Sequence, residues 1–122
     1  MATRSNWTVV FEDKLILKNN GVESGTGYEI SDDAFWGQSK FSNIWAIQYG
    51  TPITSDEVEY RDTTPHSSYA DANLGDFQQF IDKWDATHLV KIQEDWDNNN
   101  LENETEAEKI SRLGARPTSY SS

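Results

Sequence analysis

The chain has 122 residues, room for one domain of ordinary size but not for a second independent core. Hydrophobic residues make up only 35%, below the usual ~45–50%, yet aromatics reach 12%, with five Trp, five Tyr and five Phe, so the apolar content is concentrated in bulky rings. Twenty-one acids against ten bases leave a net charge of −11, which opposes direct binding to nucleic acid or an anionic membrane; with no cysteine there is no disulfide, thiol chemistry or cysteine metal site.

From Trp7 the chain alternates, with Trp7, Val9 and Phe11 on one side and Thr8, Val10 and Glu12 on the other, the period of a half-buried strand. Glu12-Asp13-Lys14 interrupts it, Leu15-Ile16-Leu17 resumes it, and Asn19-Asn20-Gly21 offers the positive φ of a tight hairpin turn, predicting strands near 6–12 and 15–18. Val22 to Gly27 reads as irregular because of its glycines, and Tyr28-Glu29-Ile30 as a short extended segment. Ser31 ahead of Asp32 and Asp33 has helix-start chemistry, predicting one or two turns near 32–38. Adjacent positions on a helix point about 100° apart, so one core need not take both Phe35 and Trp36.

Asn43 to Tyr49 and Asp56 to Arg61 read as a strand pair, with Trp45, Ile47 and Tyr49 on the core face opposite Val58 and Tyr60, and Ala46, Gln48, Glu57, Glu59 and Arg61 outward. Gly50 to Ser55 is the loop between them. This pair also contains the longest uninterrupted apolar run, the four residues Ile44 to Ile47, where a membrane span needs about 18. No apolar signal segment follows Met1, so the expectation is a soluble, untargeted protein.

After a polar connector from Thr63 to Asn73, apolar positions at Phe77, Phe80, Ile81, Trp84, His88, Ile92 and Trp96 predict an amphipathic helix between Leu74 and Trp96. Its core side, Phe77, Phe80, Ile81 and Trp84, is expected to face Trp45, Ile47 and Tyr49. Thr105 and Glu108 have capping-box spacing ahead of Ile110 and Leu113, and Gly114 and Pro117 end the second, short helix. The expected fold is therefore α+β: an antiparallel sheet of about four strands packed against a long helix that a short helix follows, as a single domain over 1–116 with a flexible tail over 117–122.

Charge is distributed unevenly, at −5 over residues 1–70, −9 over 71–108 and +3 over 109–122. Within the acidic stretch, Asp95, Asp97, Asn99 and Glu106 stand at positions 1, 3, 5 and 12 of a calcium-loop pattern. Asn100 replaces the glycine of position 6 and Glu102 the apolar residue of position 8, so no calcium or other metal site is expected. His66 lies in a Pro-His-Ser loop, and His88 beside the apolar stripe reads as a packed imidazole rather than a general base. No nucleophile elbow, phosphate loop or metalloprotease motif occurs, so neither catalysis nor a cofactor is expected. Aromatic side chains bury much area with few rotors, and Phe35, Trp36 and Phe41, in a poorly patterned segment, are the candidate partner contacts.

The phrases Phe41-Ser-Asn-Ile-Trp-Ala-Ile-Gln-Tyr-Gly50, Val58-Glu-Tyr60, Phe80-Ile-Asp-Lys-Trp-Asp-Ala86 and Leu113-Gly-Ala-Arg-Pro-Thr-Ser-Tyr120 resemble small proteins of tailed bacteriophages, the marine cyanophage-like ones most of all. Genes for such proteins sit among those for virion or tail-fibre components and carry no catalytic motif. The resemblance implies a non-catalytic accessory protein that contacts another phage protein, in the virion or in the host cytoplasm during infection. A second reading is an acidic inhibitor that imitates nucleic acid in a host enzyme's basic cleft.

Overall fold

The alternation that starts at Trp7 becomes the middle of a six-stranded antiparallel sheet in a computed structural model of the chain, which describes residues 6–19, 25–50 and 56–122. The strands are β1 (Asn6–Val10), β2 (Leu15–Asn19), β3 (Gly25–Glu29), β4 (Ile44–Tyr49), β5 (Glu57–Tyr60) and β6 (Ser67–Ser68), in the spatial order β3-β2-β1-β4-β5-β6. A short helix α1 (Asp33–Trp36) precedes β4, and α2 (Gln78–Asn98) and α3 (Glu106–Leu113) follow the sheet. The class is α+β as expected, with six strands where about four are predicted.

Both additional strands owe their existence to pairing rather than to pattern. β3 contains Gly25 and Gly27, poor strand formers, but it lies along β2 with Gly27 opposite Leu17. A β-carbon at Gly27 would stand 3.0 Å from Leu17 Cδ1 and 3.2 Å from Leu15 Cδ1, so the bare backbone makes room for the two leucines. β6 is two serines held against Glu57 and Val58, too short to leave a period. The Asn19-Asn20-Gly21 turn falls largely outside the described residues, as does most of the loop from Gly50 to Ser55. The helix start is shifted by one: the Asp32 carboxylate, not the Ser31 hydroxyl, accepts from Phe35 N at 3.1 Å.

The chain divides into two units, residues 1–80 and 81–122, where a single domain over 1–116 is expected. In the first unit, one face of the sheet carries Trp7, Val9, Ile16, Ile47 and Val58, all buried, and rings cover it. Phe80, in the first turn of α2, lies 6.0 Å from Phe11, 5.6 Å from Phe35, 5.8 Å from Phe41 and 5.1 Å from Phe77, ring centre to ring centre. Phe77 stacks on Tyr49 at 3.9 Å with the planes 9° apart. The expected facing toward β4 is thus observed for Phe77 at Tyr49, but not at Trp45.

Trp45 is 41% exposed, and the reason is a β-bulge. Ile44 pairs with Tyr60 and Ala46 with Glu59, so β4 sets two residues, Trp45 and Ala46, against the single residue Glu59. The extra residue shifts the alternation by one, Ile44 takes the buried place that strict alternation gives Trp45, and the indole comes out on the opposite face under the Arg61 guanidinium at 5.6 Å. Ala46 stays on the outward row between Val10 and Glu59 but is small enough to be buried there.

In the second unit, Trp84 stacks on His88 at 4.6 Å and Tyr120 closes over both, 6.0 Å from Trp84 and 4.4 Å from His88. His88 is the packed imidazole that its position suggests. The last residues, expected to be a flexible tail, are instead tied to α2: Gln93 Nε2 donates to Pro117 O at 3.0 Å, and Ser122 donates through its N and Oγ to the Asp85 carboxylate at 3.0 and 2.6 Å. α2 starts at Gln78 rather than Leu74 because Asn73 and Gly75 have φ of 56° and 85°, outside the helical region. No helix among the described residues is long and apolar enough to cross a membrane.

α3 begins with the expected capping box, Glu108 N on Thr105 Oγ1 at 3.2 Å and Thr105 N on Glu108 Oε1 at 2.9 Å, and ends at Gly114 with φ 83°. Its buried side is not Ile110 and Leu113, which are exposed, but Lys109, whose ammonium lies 3.9 Å from the centre of the Trp96 ring. The four-carbon stem lies against the ring while the charge meets the ring face and the Asn100 side-chain oxygen.

Phe80→Ala is expected to destabilise the protein by about 3–5 kcal/mol and Trp45→Ala by less than about 1 kcal/mol. Urea unfolding of the two variants checks this, and equal losses would place both rings in the core.

Candidate functional site

Strand periodicity puts Glu57 and Glu59 of β5 on one face, the same outward row as Trp45's neighbour Ala46 and Gln48. β6 runs antiparallel with Glu57 opposite Ser68 and Val58 opposite Ser67, so the next pair in that register is Glu59 with His66. The imidazole reaches diagonally, and His66 Nδ1 lies 2.7 Å from Glu57 Oε1. One ligand-capable atom from each of Glu57, Glu59 and His66 falls within 4.8 Å of the other two. An open pocket of about 220 Å³ adjoins them, lined by Asp56, Glu57, His66, Ser67 and Ser68.

The surroundings fix the backbone of this cluster. Asp56 accepts from Gly50 N at 2.9 Å, Tyr69 N donates to Asp56 O at 3.0 Å, and the Tyr60 and Ser67 hydroxyls share a hydrogen bond at 3.2 Å. Burial pushes the Tyr69 phenol up to about 12, so it stays protonated and donates to Gly75 O at 2.6 Å. Asp62, in the connection before His66, is held below the ordinary carboxylate range by hydrogen bonds from Thr64. The side chains of Glu57 and His66 themselves are about half exposed, so the cluster is a solvated edge that can hold a cation rather than a water-excluded catalytic chamber.

The three aromatic residues singled out in the sequence occupy a different place. Phe35, Trp36 and Phe41 are 8, 9 and 3% exposed, and all three join the ring cluster of the first unit. Trp36 Nε1 donates to Ile30 O at 2.9 Å and its ring meets Phe11 edge-on at 5.4 Å. The reading of these residues as partner contacts is corrected: their segment lacks a period because it is two short helical turns, and those turns aim every ring inward.

The calcium-like segment is also built differently from an ion loop. α2 extends to Asn98, so Asp95 and Asp97 sit on the helix; Asp95 pairs with Lys91 at 3.0 Å, and Asp97 takes a two-point contact from Arg116 at 2.8 and 3.0 Å. Arg112 binds both Glu104 oxygens at 2.7 and 2.8 Å and the Asn99 side chain at 2.9 Å, and Lys109 Nζ reaches Asn100 Oδ1 at 2.5 Å. The chain's own cations hold these oxygens, drawing on the basic segment 109–122. Acids at the end of α2, unfavourable to its dipole, are thereby neutralised.

Sequence reasoning missed Trp45 as a surface ring and His66 as a neighbour of Glu57. A bulge leaves no composition signal, whereas Glu57 and Glu59 at spacing two, followed by a lone histidine across a short connection, is a readable pattern. No protein-family profile, curated protein or solved structure matches this chain.

Hydrogen bonds from Arg116 hold Asp97 below the ordinary carboxylate range, Arg112 does the same for Glu104, and the capping amide and hydroxyl of Thr105 for Glu108. Because these values are depressed on folding, the stabilisation is complete above the ordinary carboxylate range and is lost as pH falls through the lowered values. α3 is expected to fray below about pH 4, and Arg112→Ala to weaken that dependence at Glu104. Amide exchange across α3 between neutral and acid pH measures it; protection unchanged at low pH would contradict the assignment.

Proposed function

We propose that this chain is a non-catalytic accessory protein that works by contacting another protein, and that the partner is a virion or tail-fibre component of a tailed bacteriophage. The observation that carries the contact reading is the exposure of Trp45. Leaving 41% of this residue in water forgoes part of the roughly 1.5–3 kcal/mol that full burial of a large apolar side chain contributes, and tryptophan is among the residues enriched at interface hot spots. Val10, Leu15 and Leu17, half-exposed, share the outward face of the sheet with it, and Glu12, Glu29, Glu57 and Glu59 border that face. The complementary partner surface is apolar at its centre with Lys or Arg at its rim.

Phage origin is supported by the likeness of the short phrases around Trp45, Tyr60, Trp84 and Tyr120, and the corresponding location is the virion or the host cytoplasm during infection. The inhibitor reading is supported less well. An imitator of nucleic acid presents its acids to the partner, whereas Asp95, Asp97 and Glu104 already pair with Lys91, Arg116 and Arg112.

A photo-crosslinking residue placed at position 45 is expected to capture a virion or tail-fibre component at both low and high salt, and one placed at the exposed position 110 to capture none. Capture from position 45 of a host DNA- or RNA-handling enzyme, only at low salt, would replace this reading with the inhibitor.

A further inference from the structure

We propose that Glu57, Glu59 and His66 form a binding site for a divalent transition-metal ion, for which zinc is the probe. The proposal goes beyond the protein-contact reading: it shares Glu57 and Glu59 with the border of that face, but it concerns the β5–β6 edge and needs no partner. The donor set is one imidazole nitrogen and two carboxylate oxygens, a combination suited to zinc and its first-row neighbours and poor for calcium, which takes six to eight oxygens.

Geometry brings the atoms close to coordination distance. Around an ion with ligand bonds of about 2.0–2.2 Å, neighbouring ligand atoms lie roughly 3.2–3.5 Å apart. The three atoms here are within 4.8 Å of one another, and Nδ1 and Oε1 of His66 and Glu57 are at 2.7 Å, so rotations of half-exposed side-chain ends suffice to open the ligand triangle around a central ion. The residues come from two separate segments, the outward row of β5 and the residue just before β6, and the β5–β6 register fixes their spacing. Zinc would take the place of the hydrogen between His66 Nδ1 and Glu57 Oε1, which a neutral imidazole can carry on Nε2 instead. The two glutamates repel each other across one strand step, and a dication removes that repulsion.

The contrast with the 95–106 segment sharpens the choice. There, ligand-type oxygens are held by Lys109, Arg112 and Arg116. At the sheet edge the described residues around the same space are the acids Asp56, Glu57 and Glu59, the His66 imidazole, and Ser67 and Ser68. The Tyr60–Ser67 hydrogen bond ties the segment after His66 to β5, so the imidazole is presented from a braced position. Three protein ligands leave a fourth position for water or an added group. An ion there would clamp β6, which is held to the sheet by two residue pairs, to the middle of β5.

The chain has two histidines, so the site can be read directly by their ring resonances. Zinc titrated into the full chain is expected to bind once, to shift the His66 ring signals while leaving those of His88 in place, and to raise the melting temperature. His66→Asn and Glu59→Gln, both at the solvated edge, are each expected to lower zinc affinity by more than about tenfold with circular dichroism unchanged, and magnesium or calcium not to compete. Absence of zinc binding, zinc binding of unchanged affinity in His66→Asn, or a shift confined to His88 would each overturn the proposal.

Discussion

Phe80 is the point on which the first unit closes. Its ring is fully buried and meets Phe11 just after β1, Phe35 from α1, Phe41 from the following turn and Phe77 just ahead of α2, so three regions distant in sequence share one contact. In a chain of low aliphatic content, such rings complete the core that Val9, Ile16, Ile47 and Val58 begin on the sheet. Rings bury large areas per residue and lock into edge-on geometries, which is how α1 and the turn at Ser39–Phe41, each less than two turns long, hold their positions without helical stability of their own.

Filling the core with rings has a consequence at β4. The inner face already holds Tyr49 against Phe77 and Phe41 against Phe11, and the bulge at Trp45 brings Ile44, a smaller side chain, into the buried row. The indole excluded from that row becomes the largest apolar group on the outward face, under Arg61 and beside the row that carries Glu57 and Glu59. Surface and core are thus two outcomes of one local irregularity, and the proposed contact face exists because the strand is not regular. In the second unit the same economy appears as Trp84, His88 and Tyr120 stacked together and as Lys109 laid over Trp96.

Much of the fold was legible in the sequence where a period or a cap governs it. The strands at Trp7 and Leu15, the pair at Ile44 and Glu57, the long helix, and the Thr105–Glu108 box with Gly114 all follow from local chemistry and appear within a few residues of expectation. What escaped is set by pairing or by tertiary fit. The first half of β3 was hidden by glycines that only its partner strand explains, β6 by its two-residue length, and the docking of 117–122 by a contact to Asp85 across 37 positions. The candidate site failed for a related reason. Phe35, Trp36 and Phe41 looked suspicious for want of a period, when short helical turns were aiming them into the core; Trp45 looked safe because its period was good, until one extra residue reversed it.

Hydroxyl-radical footprinting of the native chain, read tryptophan by tryptophan, tests most directly the claim that the bulge exchanges Trp45 for Ile44. Trp45 is predicted to be oxidised fastest, with Trp7, Trp36 and Trp84, each no more than 9% exposed, protected. Protection of Trp45 equal to that of Trp36 would mean that β4 is regular, that the indole is in the core, and that the outward face has no aromatic anchor to offer a partner.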